Sequence, residues 1–244
     1  MKYGAISPLD GRYKDKTAAL APYFSEWALM KYRVMVEGEY LISLSSLRKL
    51  NLRKLNTGEE RRVRDLYELS MKDFENIKSI EKTTNHDVKA VEYFLKQKLE
   101  KTSLRDVLEW IHFGLTSYDV NTPARSMMLR DALEDVVIPK IDEIVENLKI
   151  LAKTHKDLPM LARTHGQSAS PTTFGKEMNV FASRIKKQSD ILKNIKISAK
   201  FSGATVNFNA HMASYPKINW IVFSENFINN INKNKKIKIE LNLP

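Results

Sequence analysis

From Ser25 onward the chain runs as helical apolar stripes broken by short polar segments. In "SEWALMKYRVMVEGEYLISLSSLRKL" the positions Trp27, Leu29, Met30, Tyr32, Val36, Tyr40, Leu41, Leu44 and Leu47 recur at three- and four-residue intervals, which predicts an α-helix. "GEERRVRDLYELSMKDFENIKSIEKTT" predicts a second, with Val63, Leu66, Leu69, Met71, Phe74 and Ile77 facing inward. "DVKAVEYFLKQKLEK" and "SLRDVLEWIHFG" read as shorter helices. Beyond Thr116 the stripes lengthen. Leu133, Val137, Ile141, Ile144, Leu148 and Leu151 keep one seam, and Phe174, Met178, Phe181, Ile185, Leu192 and Ile195 keep another. At 1.5 Å per residue these helices would be roughly 35 to 40 Å long, a length suited to a bundle. Pro139 lies inside the first, so a kink or a fresh helix start is expected there. Only the terminal "KIKIELNL" alternates as a strand does. The fold class is mainly α, with a change of character near residue 115.

Composition narrows the function classes. A 244-residue chain that is 43% apolar can bury one sizeable core or two smaller ones. The absence of cysteine excludes disulfide scaffolds, thiolate metal sites and cysteine nucleophiles, and it fits a reducing compartment, so a cytoplasmic location is expected. "MKYGAISPLDGRY" has no apolar signal core, and no stretch approaches the roughly 18 apolar residues of a membrane span, so a soluble protein without membrane contact is expected. The formal charge of +11 draws anions, either a polyanion or a small phosphate or carboxylate. Lys and Arg are interleaved with Glu and Asp rather than clustered, which argues against nucleic acid as the partner, and the dense run "NKNKKIKIE" reads as a solvated loop or edge. There is no glycine-rich phosphate loop and no H-x-x-x-H metal pair.

The candidate chemistry sits in the polar interruptions. In "RTHGQSASP", His165 is flanked by Thr164, Gly166 and Gln167. The glycine would admit a ligand closely, and the neighbouring polar groups would fix one imidazole tautomer. Ser170 and Pro171 read as the start of the next helix, which would put His165 beside an anion-attracting helix N-terminus. In "TTNHDVKAVEYF", His86 lies between Asn85 and Asp87, either of which would cap the following helix. "GLTSYDVNTP" offers Thr116 and Ser117, with Asp119 and Asn121, at another helix start. That is either a carboxylate-sized cradle or an ordinary cap. Arg12 in "DGRY" would hold a phosphate or carboxylate bidentately beside Tyr13. His112 reads as a packed helix residue, His155 as solvent-facing, and His211 as either lining a site or forming a structural polar turn.

These interruptions, in order, resemble the adenylosuccinate lyases of the fumarase/aspartase superfamily. The similarity runs from "SPLDGRY" through "EKTTNHDVKAVEYFLK", "IHFGLTSYDVN" and "RTHGQSASPTTFGKEM" to "GATVNFNAHMASYP". It implies a fumarase/aspartase-like helical fold, with an N-terminal helical domain over residues 1–114 followed by the first long helices of a central bundle over 115–244. It also implies a homotetramer whose active sites are shared between subunits. The implied reaction is β-elimination of fumarate from adenylosuccinate, or from succinyl-aminoimidazole-carboxamide ribotide, with no metal or organic cofactor. His165 would be the general acid. Thr116 and Ser117 would hold carboxylates, Asn85, His86 and Asp87 would line the substrate site, and Arg12 with Tyr13 would take the nucleotide end. Tyr118 stands where the family often has an acidic residue, and Thr122 where it often has Asn. The family's signature loop, which carries its base, and its later phosphate-binding residues lie outside this sequence. The chain is therefore expected to be the N-terminal portion of a longer protein, inactive alone. Two rival readings are a basic helical nucleic-acid-binding module and a non-catalytic oligomerisation fragment.

Overall fold

A computed structural model describes residues 4–243. Its elements are α1 (Lys14–Thr17), α2 (Ala21–Phe24), α3 (Glu26–Ser45), α4 (Thr57–Asp65), α5 (Met71–Thr84), α6 (Asp87–Leu99), α7 (Ser117–Ala132), α8 (Ile138–Thr154), β1 (Pro159–Thr164), β2 (Gln167–Thr173), α9 (Phe174–Lys193), β3 (Ile197–Ala199), α10 (Asn209–Ser214), α11 (Trp220–Ile231) and β4 (Ile239–Leu241). The mainly α expectation holds. Residues 4–130 with 196–243 form one compact unit, and Asp131–Ile195 the other.

The stretch from 58 to 84, read as one helix, belongs to two. Ser70 leaves the helical conformation (φ −74°, ψ 162°) and its hydroxyl accepts the Asp73 N–H at 3.2 Å, while the Asp73 carboxylate accepts the Ser70 N–H at 3.2 Å. This reciprocal capping box starts α5 afresh and overrides the apolar period that crosses it. Asn56 and Glu59 start α4 in the same way. "SLRDVLEWIHFG" is a 3-10 helix over Arg105–Trp110 rather than an α-helix. His112 lies beyond its end at φ 63°, and its packed character comes from a 2.5 Å hydrogen bond between Nδ1 and the Glu37 carboxylate.

The core of the first unit forms where α3 packs against α6, α7 and α11, around Val34, Tyr40, Leu44, Phe94, Phe201 and Phe227. His211 belongs to this core and not to an open site. It is 2% exposed, with its ring edge-on to Phe113 and Phe208 and tilted against Trp220. Tyr40 donates its hydroxyl proton to the Phe113 carbonyl at 2.7 Å, so its oxygen is left to accept Nε2–H of His211 at 3.0 Å. His211 Nδ1 is then a bare, buried nitrogen without a partner. The terminal strand expected from "KIKIELNL" is present as β4, parallel to β3.

In the second unit, α8 and α9 pack together and are joined by the β1–β2 hairpin. Pro139 falls in the first turn of α8, after a π-helical turn over Leu133–Val137, which absorbs the missing N–H without a break. Gly175 is the close-approach point, because a Cβ there would lie 2.4 Å from the Ala152 carbonyl oxygen and 2.6 Å from the Lys156 Cα. Asp142 pairs with Lys193 at 2.7 Å across the two helices. Two helices cannot cover both apolar seams. Val145 and Ala182 are buried, but Ile144, Ile150, Leu151, Phe181, Ile191 and Ile195 remain exposed. His155 is half-buried, with its ring edge-on to Phe174 at 5.5 Å, which corrects its reading as solvent-facing.

Two outcomes follow for stability. Gly175→Ala should destabilise the second unit by about 1–3 kcal/mol, the usual cost of overpacking. An unchanged melting temperature would contradict the close crossing. Burial lowers the His211 imidazole from its ordinary 6.5 to about 4, because protonation would place a proton on the partnerless Nδ1. Between those values the unfolded chain binds a proton that the folded chain refuses, so stability falls as pH drops from about 6.5 to 4, by a total on the order of 3 kcal/mol. Denaturant midpoints across that range should show this slope in the wild type and a flatter one in His211→Gln. Equal slopes would remove His211 from the account.

Candidate active site

The best-defined polar cluster in the first unit forms where α6 and α7 begin. Asn85 ends α5 in the left-handed conformation (φ 51°, ψ 34°), a geometry that asparagine tolerates well, and so turns the chain toward α6. The cap of α6 is His86, not Asn85 or Asp87. Its backbone is extended and its Nδ1 accepts the Lys89 N–H at 3.1 Å. An imidazole nitrogen that accepts is unprotonated, so in the neutral ring the proton sits on Nε2. Nε2 faces the Ser117 hydroxyl oxygen at 3.5 Å. Capping thus fixes the tautomer and presents a donor to the first residue of α7.

Asp87 is directed elsewhere. Its Oδ2 accepts from Arg33 Nη2 at 2.6 Å and its Oδ1 from the Val88 N–H at 2.9 Å. Burial alone would raise its carboxyl, but the Arg33 charge and hydrogen bond, with the Val88 N–H, outweigh that and hold it below the ordinary carboxylate range. Arg33 is itself buried and also donates through Nε to Asn121 Oδ1 at 2.8 Å.

Thr116 and Ser117 stand at the entry to α7. Asp119, 0% exposed, accepts the Thr116 N–H at 2.9 Å, the acidic half of a capping box. Its other oxygen accepts from Lys200 Nζ at 2.8 Å, the Ser202 N–H at 2.9 Å and the Gly203 N–H at 3.1 Å. Asp119 therefore ties the Thr116–Ser117 turn to the 200–203 segment. Thr122 reinforces that tie, since its hydroxyl donates to the Lys200 carbonyl at 2.7 Å and accepts the Lys200 N–H at 3.1 Å. Tyr118 is exposed.

Arg12 and Tyr13 are exposed in the N-terminal segment, with the Arg12 guanidinium 5.3 Å from the Tyr13 ring centroid. Among the described residues no hydrogen bond joins them to the His86–Ser117 cluster. His165 belongs to the second unit and its surroundings differ from those expected. The segment is a β-hairpin, not a loop before a helix. His165 (φ 51°) and Gly166 (φ 75°) form its two-residue turn between the paired Thr164 and Gln167. Both have the positive φ that such a turn demands, so Gly166 serves conformation, and a Cβ there would meet nothing within 4 Å. Pro171 lies in β2 opposite Leu161, and the cap of α9 is Thr173, whose hydroxyl accepts the Lys176 N–H at 3.2 Å, rather than Ser170. His165 is an exposed imidazole at a hairpin tip.

Sequence reasoning overlooked Arg33 and Lys200, and it placed Asn121 at a helix start without its partner Arg33. The available signal was Arg33 and Glu37, two charges on the apolar face of α3 among Met30, Val34, Tyr40 and Leu41. Among the described residues no group of three or more His, Asp or Glu is placed to hold a metal ion, and no helix is long and apolar enough to cross a membrane. The cluster can offer hydrogen-bond donors to a ligand. His86 offers a donor toward Ser117, whose hydroxyl proton is free for an acceptor such as a carboxylate.

The chain is 49% identical over 231 residues to an adenylosuccinate lyase of Dictyostelium discoideum, which covers 92% of this chain and 50% of that protein. It is 43% identical over 230 residues to an adenylosuccinate lyase of Escherichia coli K12, at 93% and 50% coverage. The chain thus spans about half the length of the relatives it matches. Two solved structures share the fold. A fumarate lyase of Mesorhizobium sp. BNC1 has a TM-score of 0.69 at 19% identity over 89% of this chain and 48% of its own. A β-carboxy-cis,cis-muconate cycloisomerase of Acinetobacter calcoaceticus has a TM-score of 0.71 at 18% identity over 91% of this chain and 49% of its own. The family model described as "Lyase" matches residues 11–237, nearly the whole sequence, and the chain belongs to that lyase family.

Proposed function

We propose that this chain is the N-terminal portion of an adenylosuccinate lyase, a carbon–nitrogen lyase that releases fumarate from adenylosuccinate, leaving AMP, and from succinyl-aminoimidazole-carboxamide ribotide in purine biosynthesis. The observation that carries the reading is the 43–49% identity to adenylosuccinate lyases sustained over 92–93% of the chain. In this β-elimination a base takes a proton from the carbon next to a carboxylate, the C–N bond breaks with its electron pair passing to nitrogen, and an acid protonates that nitrogen. His165 is the acid. Its exposure at the hairpin tip leaves the ring open to a ligand. Ser117, Thr116 and His86 recognise the succinyl carboxylates, with Asn85 and Asp87 shaping that wall. Arg12 and Tyr13 receive the nucleotide end. No cofactor takes part.

The protein acts as a homotetramer in the cytoplasm. The apolar residues left exposed on α8 and α9 support assembly, since an uncovered apolar stripe favours association with another copy. The base is supplied by the family's signature loop, so the 244 residues alone do not turn over. The basic charge balance suits a substrate that carries two carboxylates and a phosphate, and its steering effect weakens with salt.

The test is fumarate release by a polypeptide of the relatives' length that carries this sequence. His165→Ala should lower turnover on the order of 100-fold or more, the scale of losing a general acid. Wild-type-like turnover would remove His165 from that role. Thr116→Ala with Ser117→Ala should both raise KM and lower kcat, and a double variant that matches the wild type in both would refute carboxylate recognition by these hydroxyls.

A further inference from the structure

Arg33 lies on the buried face of α3, and its side chain is only 2% exposed. A guanidinium taken out of water is costly unless its donors are filled. Here Nη2 donates to Asp87 Oδ2 at 2.6 Å, Nε to Asn121 Oδ1 at 2.8 Å and Nη1 to Met30 Sδ at 3.5 Å. The two oxygen acceptors stand on different elements. Asp87 is the first residue of α6 and adjoins its cap, His86. Asn121 lies one turn into α7, on the same face as Ser117. The span between the two helix starts is therefore set by one rigid, planar fork, and across that span His86 Nε2 meets Ser117 Oγ.

We infer that Arg33 is a positioning residue: by bridging Asp87 and Asn121 it holds His86 opposite Ser117 and so fixes the face that recognises a carboxylate. The nature of the ligand, a succinyl-type dicarboxylate, rests on the function proposed above; the clamp rests on the geometry alone. Asp87 then acts as the counter-charge of Arg33 and not as a direct substrate ligand. Lysine cannot reproduce the clamp. A single ammonium on a flexible stem satisfies the Asp87 charge, so folding survives, but it lacks the fixed fork that engages Asn121 at the same time.

The variant that tests this is Arg33→Lys, with two readouts. In this chain itself, backbone hydrogen exchange should quicken about tenfold or more over 85–88 and 117–121, a local opening, while exchange in α5 and α11 stays at the wild-type rate. In the polypeptide of the relatives' length, affinity for succinate should fall about tenfold or more while affinity for AMP changes by less than about twofold. A role confined to overall stability would weaken both ligands together and quicken exchange throughout. Unchanged exchange in the two turns overturns the inference. So does equal loss of succinate and AMP binding, or faster exchange with succinate affinity intact. If the wild type binds neither ligand, the functional reading has failed, and the exchange comparison alone decides whether Arg33 holds the two turns.

Discussion

Two charges on the inner face of α3 govern the architecture of the first unit. Arg33 and Glu37 are both buried, and each brings in its partner from a distant part of the chain. Arg33 draws in Asp87 and Asn121, and Glu37 draws in His112 through a 2.5 Å contact. An uncompensated buried charge costs several kcal/mol, so these partners are obligatory once α3 is packed. The starts of α6 and α7 are consequently held at α3, the first by an ion pair and the second by a hydrogen bond from Arg33, and His86 and Ser117 face one another as a result. Asp119 closes the arrangement from the other side by gathering Lys200 and two backbone N–H groups.

Much of this was legible in the sequence. The three-four spacing from Trp27 to Leu44 yields α3, and the polar interruptions "TTNHD" and "GLTSYDVN" fall at helix starts, where their side chains meet. What escaped was cooperative or local in origin. The Ser70–Asp73 box splits one apolar period into two helices, because two satisfied N–H groups outweigh continuity of a stripe. The hairpin carrying His165 has no alternation to reveal it. Its signature is a His-Gly pair with positive φ at both residues, between an apolar run, Pro159 to Ala162, and a mostly polar one, Gln167 to Thr173. Arg33 and Glu37 stand out as charges on the apolar face of α3, but no spacing rule links position 33 to positions 87 and 121.

The second unit differs in kind. Its helices α8 and α9 bury little apolar surface between themselves, and Phe181, Ile144 and Ile191 stay exposed. The chain spans about half the length of the relatives it matches. His165 rides on the hairpin of this unit, whereas the His86–Ser117 turn belongs to the first.

The central claim is that the His86–Ser117 turn receives a carboxylate. A crystal structure of the polypeptide of the relatives' length with AMP and fumarate bound tests it most directly. The account predicts a fumarate carboxylate oxygen within hydrogen-bonding reach of Ser117 Oγ, with Arg33 still bridging Asp87 and Asn121. Fumarate bound elsewhere, with that turn packed against apolar side chains, would contradict it.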